Sequence, residues 1–386
     1  MILLGRDVAI IGIGSTNYTP MTTEYSYKEL MFEAALKAYE DAGINPRKEL
    51  DALVTAAEDF WEGVSIFDEY IPDQMGAVLK PALTVSGDGL WGIIHGYMLV
   101  KTGYFDIVAV EAHSKASDID NIMDVWRIAL DPHYHRPIVD NVHMFAGLEM
   151  MRFMEEYNVS REALSMIVVK NRYNALYNPM APYGTKTDIE TVSNSEVVSY
   201  PLRKMDISEY SDGATVVVLA SKEVAERYDK EPIWIEGVGW ISDSPNIEEW
   251  DLACPSHVVL AASMAYSQAN IDNPFKEIDL AEVDDRYSYR EFQSLVALDL
   301  TDGYMMDELV FEGVISPSGE LPVNPSGGYL GMGYPLEAGG LVKLYNAVVQ
   351  LRGEAGPMQI GDVEKAVVMT RREFPSPSSA VVVLGG

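Results

Sequence analysis

The stretch Ala38-Tyr39-Glu40-Asp41-Ala42-Gly43-Ile44 has a partner far downstream, Ala265-Tyr266-Ser267-Gln268-Ala269-Asn270-Ile271. Lys48-Glu49-Leu50-Asp51 is matched in turn by Lys276-Glu277-Ile278-Asp279. The offsets are 227 residues (38 to 265) and 228 residues (48 to 276), so one register survives a single-residue insertion. Each copy reads as an amphipathic helix, a turn at Pro46 or Pro274, and an apolar strand, 52–55 or 280–283. A duplicated chain follows, with an N-terminal half over 1–230 and a C-terminal half over 231–386. A helical and loop-rich excursion interrupts the first half at about 118–180.

Working outward, each copy runs on to a glycine-rich turn that opens a helix. In the first half it is Val85-Ser86-Gly87-Asp88-Gly89-Leu90, and in the second Asn324-Pro325-Ser326-Gly327-Gly328. Apolar strands are expected at 8–13, 105–111, 214–220, 233–238, 366–369 and 380–384, and helices at 25–43, 159–178, 257–270 and 340–351. Strands this uniformly apolar are buried on both faces, and their alternation with helices gives an α/β architecture.

Composition narrows the function. The chain of 386 residues carries 59 acidic and 28 basic side chains, a net charge of −31. Such a surface repels nucleic acid and anionic membrane, so neither is an expected partner. The single cysteine, Cys254, excludes a disulfide framework, an iron–sulfur cluster and a Cys-based zinc site within this chain. No run of about 18 apolar residues predicts a membrane span. The opening MILLGRDVAIIGIG has no basic leader, which points to a cytoplasmic protein.

Three clusters hold side chains suited to chemistry. Ser86 sits where a helix N-terminus favours negative charge on a nucleophile or oxyanion, with Gly87 and Gly89 allowing close approach; it reads equally as a plain helix cap. In Glu282-Val283-Asp284-Asp285-Arg286-Tyr287-Ser288-Tyr289 a buried strand ends in two carboxylates, a guanidinium and two phenols. A strand's carboxyl end is a ligand-binding position in open α/β folds, although a salt-bridged turn would look the same. In Gly331-Met332-Gly333-Tyr334-Pro335 the reactive side chain is Tyr334, which could also be a packed aromatic anchor. Weaker signals are set aside. Gly12-Ile13-Gly14 lacks the third glycine of a dinucleotide loop, and His133 with His135 lacks a third metal ligand, so no metal is assigned. His113 reads as a core histidine.

With these motifs in order along the chain, the sequence resembles the thiolase superfamily, nearest its sterol-carrier-protein and archaeal branch. Ser86-Gly87-Asp88-Gly89-Leu90 resembles the family's Cys-Gly-Ser-Gly-Leu nucleophile turn. The segment 168–179 (VVKNRYNALYNP) resembles VKNHxNAxxNP, and Pro201-Leu202-Arg203 with Ser211-Asp212-Gly213-Ala214 resembles PLR…SDGA. Asn324–Gly328 with Gly333–Gly340 resembles NPSGG…GHPxGxxG. The resemblance implies two α/β halves in a five-layered α/β/α/β/α arrangement, coenzyme A thioesters as substrates, no covalently bound cofactor, and a homodimer. It also implies a small zinc-ribbon/OB-fold partner that helps hold the acyl-CoA. Arg203 becomes a candidate for the CoA phosphates, and Gly87, Gly89, Asn324, Gly327, Gly328 and Gly333 candidates for backbone contact with substrate.

The family's catalytic positions differ here. Ser86 stands at the nucleophile, Asp284 at the HDxF-type histidine and Tyr334 at the GHP histidine, while Phe374-Pro375-Ser376-Pro377 offers no second cysteine. The first reading is acyl transfer through Ser86, with Asp284 or Asp285 as base, since a hydroxyl needs a base more than a thiol does. The second resembles the thiolase-like steroid side-chain aldolases, with Tyr334, and Tyr287 as a second phenol, driving retro-aldol cleavage of a 3-hydroxyacyl-CoA. The third is a non-catalytic acyl-CoA-binding subunit of a hetero-complex.

Overall fold

Eleven strands appear among the described residues: β1 (Val8–Ser15), β2 (Ala52–Ala56), β3 (Ala82–Val85), β4 (Ile107–Ser114), β5 (Val197–Ser199), β6 (Leu202–Arg203), β7 (Gly213–Ser221), β8 (Ile233–Ser242), β9 (Leu280–Glu282), β10 (Lys365–Arg372) and β11 (Ser378–Gly385). The computed structural model describes residues 6–58, 61, 66–139, 141–228, 230–301, 303–372 and 377–386. Nine of the strands form one mixed sheet in the order β3-β2-β4-β7-β1-β8-β11-β10-β9. Its centre is the short antiparallel meeting of β1 and β8, through Ala9–Trp234 and Ile10–Ile233.

From that centre the order is mirrored. Antiparallel β7 flanks β1 as antiparallel β11 flanks β8. Next come β4 and β10, then the parallel strands β2 and β9. The outermost β3 has its counterpart in Val323, which bridges Ala281 in parallel. The sequence repeat therefore marks equivalent helix–turn–strand units on the two sides. Its Pro46 and Pro274 each open one helical turn, Pro46–Glu49 and Pro274–Glu277, where a proline's missing N–H costs nothing.

Side-chain alternation along the strands creates three apolar layers. Ala9, Ile11, Leu53, Ala109, Val216 and Val218 pack against the Tyr27–Ala42 helix on one outer face. On the other outer face Ala281, Val367, Val381 and Val383 pack against the Ser256–Ala269 helix. Between them Val8, Val54, Val110, Leu219, Ala366, Val368 and Val382 meet the Gly89–Lys101 and Gly339–Leu351 helices. This is the expected five-layered arrangement. The two central helices cross so closely that a side chain at Gly89 would collide with Leu341, and one at Gly340 with Leu90 and Asp88.

The excursion from the first half is wider than the expected 118–180. It fills the whole interval from β4 to β7, residues 115–212, because the β5–β6 ribbon and its flanking turns precede the return to the sheet. It contains the His143–Tyr157 and Arg161–Asn174 helices and a small core of Trp126, Leu130, Val139 and Val142, which packs against Leu336 and Tyr334. No helix of the described residues is long and apolar enough to cross a membrane.

Candidate active site

Ser86 follows β3 directly and is exposed. It is not the helix cap. Asp88 takes that place, its carboxylate accepting the Leu90 N–H at 2.9 Å. Among the described residues the hydrogen-bond neighbour of Ser86 Oγ is the Arg372 guanidinium, whose Nη1 lies 3.5 Å away. The same nitrogen is 2.6 Å from Glu58 Oε1, and burial raises the Glu58 carboxyl against the pull of Arg372. Burial, reinforced by the nearby Asp284 and Glu58 carboxylates, pushes Asp88 up to about 7.

The two adjacent carboxylates after β9 have separate fates. Asp285 accepts the Tyr329 N–H at 2.7 Å, the Leu330 N–H at 3.2 Å and the Asn171 side-chain amide at 2.9 Å, and pairs with Lys343 Nζ at 3.2 Å. It holds the start of the Gly328–Met332 helix, and both of its carboxylate oxygens are engaged. Asp284 is also buried, but its Oδ1 has no hydrogen-bond partner among the described residues. The nearest cation is Arg290 Nη1 at 3.8 Å, and burial raises the Asp284 carboxyl despite that arginine and Arg371.

Tyr329 ties these groups together. Its fully buried phenol is raised well above its ordinary value by burial, and then by the charges of Asp88 and Asp284 and by Tyr334 and Asp285. Tyr334 lies half-buried with its ring 5.3 Å from that of Tyr329 and 6.0 Å from that of Tyr210. The Arg286 guanidinium stands 4.5 Å from the Tyr334 ring centre and 4.4 Å from that of Trp126. Ser86, Asp88, Asp284, Tyr329 and Tyr334 thus form one neighbourhood where the β3 turn, the end of β9 and the 328–338 loop converge.

The remaining candidates are placed as follows. Tyr287 is completely buried, its hydroxyl 2.9 Å from His143 Nδ1 and its ring stacked on Tyr289. Arg203 sits on the β5–β6 ribbon and donates to the Ser195 carbonyl. Asn324 is buried, accepting the Val283 N–H at 3.0 Å and donating to Glu291 at 2.8 Å. Gly327 and Gly328, at φ of 99° and 54°, pack against Ala175 and Asp285, and Gly333 against Ser211. Gly87, at φ 141°, packs on Trp91, and Gly89 faces Leu341. The contacts of these residues are thus internal ones.

His113 is buried against Glu111, Tyr27 and Phe67, and burial holds His257 at about 3. His133 is exposed, while His135 faces Glu248 at 3.4 Å. Among the described residues no group of three or more His, Cys, Asp or Glu side chains could hold a metal ion. Phe374-Pro375-Ser376, the place of the missing second cysteine, falls outside the described residues.

Sequence reasoning missed Tyr329, the acid at Glu58, and Arg372, whose partner Glu58 lies 314 residues away in the chain. It also missed the buried knot in which Glu149 of the excursion binds Arg371 of β10 together with Tyr289 and Arg290. The adjacency of Tyr329 to the NPSGG turn was the one local signal available.

Residues 239–385 match the family described as thiolase C-terminal domain-like. An acetyl-CoA acetyltransferase of Methanothermobacter thermautotrophicus is 31% identical over 367 residues, spanning 93% of this chain and 94% of that protein. Sterol carrier protein 2 of Gallus gallus is 27% identical over 389 residues, 95% of this chain and 69% of that protein. The solved structure described as "Ltp2-ChsH2(DUF35) aldolase" has the same fold, with a TM-score of 0.83 at 24% identity over 100% of this chain and 99% of that one. Together with the mirrored sheet, these likenesses place the chain in the thiolase superfamily, in the branch of the sterol-carrier-protein thiolases and archaeal acetyl-CoA acetyltransferases.

Proposed function

We propose that this thiolase-superfamily enzyme cleaves a 3-hydroxyacyl-CoA by a retro-aldol reaction, with Tyr334 as base and Asp284 as acid. The observation that carries this reading is the surrounding of Ser86. Among the described residues its hydroxyl meets a guanidinium, which can only donate, rather than a base that would take the serine proton. An acyl-enzyme needs that proton removed; a retro-aldol step needs no nucleophile.

In the cleavage Tyr334, as phenolate, takes the 3-hydroxyl proton. The C2–C3 bond breaks, C3 becomes a ketone or aldehyde, and the electron pair passes into the thioester enolate. In this proposal the positive end of the Gly89–Lys101 helix, which opens beside Ser86, is the group that would stabilise the enolate oxygen. Asp284, whose carboxyl burial raises despite Arg290 and Arg371, is the acid of this proposal and gives its proton to C2 to form the shorter acyl-CoA. One net proton transfer from Tyr334 to Asp284 restores the pair.

The likeness to a structure named as an aldolase with a DUF35 component supports this reading and suggests a DUF35-type partner. A homodimer is part of the same proposal. The names of the acetyltransferase relatives favour acyl transfer through Ser86 as the second reading. The deciding experiment incubates the protein, with any co-purifying partner, with 3-hydroxyacyl-CoA and separately with 3-ketoacyl-CoA. Carbonyl release lost about 100-fold or more in Tyr334→Phe and kept in Ser86→Ala supports the aldolase. An acyl adduct on Ser86 in the intact mass, absent from Ser86→Ala, overturns it.

A further inference from the structure

Arg286 follows the two site carboxylates and is 3% exposed. Its guanidinium is layered between two rings, Trp126 at 4.4 Å and Tyr334 at 4.5 Å, with Tyr287 at 5.5 Å. The arrangement is fixed from several sides. Nη2 donates to the Tyr210 hydroxyl at 3.4 Å, and Trp126 Nε1 donates to the same oxygen at 3.1 Å. The Arg286 carbonyl accepts the Ser208 N–H at 2.9 Å, while Tyr210 and Tyr334 are joined by a parallel bridge.

A guanidinium stays charged at every working pH. Set over a ring face and shielded from water, its field acts on that ring with little screening. Tyr329 and Tyr210 face Tyr334 with their rings, and Glu209 contributes its backbone carbonyl, which accepts the Tyr334 N–H. Arg286 is thus the cation against which a Tyr334 phenolate would form.

We infer that Arg286 is the positioning residue for Tyr334: it favours the phenolate and, clamped by Trp126 of the 115–212 segment, fixes the ring where the substrate hydroxyl must arrive. This rests on the aldolase reading for its catalytic meaning, but the ionisation of Tyr334 can be read without turnover. A lysine keeps the charge yet cannot lie flat between two rings, so the conservative change separates charge from stacking.

The test is an absorbance titration at the phenolate band, taken as the difference between each protein and its Tyr334→Phe counterpart, alongside pH–rate profiles of 3-hydroxyacyl-CoA cleavage. In Arg286→Met the Tyr334 titration should move up by about 1–3 pH units, with Arg286→Lys between it and the parent. The ascending limb of kcat, which follows ionisation of the base, should move up by the same amount, so that rate lost at neutral pH returns at high pH, while KM changes little. Arg286→Gln, which keeps a donor for Tyr210, replaces Arg286→Met if the latter does not fold. An unmoved Tyr334 titration in a folded Arg286 variant overturns the inference. A moved titration with cleavage that survives Tyr334→Phe overturns the aldolase role of Tyr334 and leaves the effect of Arg286 standing.

Discussion

Asp285 accepts the backbone N–H of Tyr329 at 2.7 Å, one of four hydrogen bonds that engage both of its carboxylate oxygens. With Lys343, Asn171 and Leu330 also on Asp285, that side chain is saturated, and of the two only Asp284 keeps an oxygen without a hydrogen bond among the described residues. The two substitutions should therefore separate. Asp285→Ala leaves Lys343 buried opposite too little charge and should cost about 3–5 kcal/mol in chemical denaturation. Asp284→Asn should unfold at nearly the parent denaturant concentration while losing cleavage activity. Equal stability losses in both would show that Asp284 is structural too.

The Glu149 knot should be a second point of weakness. Glu149 binds Arg371 and Arg290, and although burial alone would raise its carboxyl, the two arginines hold it at about 2. Glu149→Gln removes the carboxylate that both cations share and should lower unfolding free energy by about 3–5 kcal/mol at neutral pH. A loss under about 1 kcal/mol would mean that the arginines find other partners.

Stability should peak between two pH limbs of opposite sign. Glu149, whose folded value is depressed, stabilises above its unfolded value of 4.5, and this is lost as pH falls from there toward about 2. Asp88 and Glu282, both raised to about 7 by burial, act the other way. The folded state holds their protons more tightly, so their contribution is complete below their unfolded values and disappears as pH rises through about 7. Urea midpoints at about pH 5 should exceed those at about pH 8, and Glu282→Gln with Asp88→Asn should flatten the upper limb. A midpoint that climbs over that interval would contradict it.

Gly89 tests the contact between the central helices. A methyl there runs into Leu341 side chain and backbone, so Gly89→Ala should cost about 1–3 kcal/mol although alanine favours helix. Thermal unfolding of the variant measures this directly, and an unchanged or raised midpoint would show that the helices can separate without loss.

Local pattern was enough for the long apolar strands and the helices named from it, but not for the Ala82–Val85 strand or the His143–Tyr157 helix. The strand expected at 380–384 is Ser378–Gly385, and the helix expected at 340–351 is Gly339–Leu351, since runs of buried apolar residues and glycine-marked starts state their structure locally. The repeat at 38 and 265 likewise foretold the mirrored sheet, because equivalent hydrophobic patterns bury themselves in equivalent ways. The site was legible only as three clusters. That Asp88 rather than Ser86 caps the helix turns on backbone angles. Ser86 meets Arg372 across 286 residues of chain, and the clamp on Arg286 brings Trp126 of the excursion onto the same cation as Tyr334 of the C-terminal half. Electrostatic pairing of that kind depends on distances and burial that the folded sheet alone supplies, so the chain's order names the residues and the tertiary structure assigns their partners.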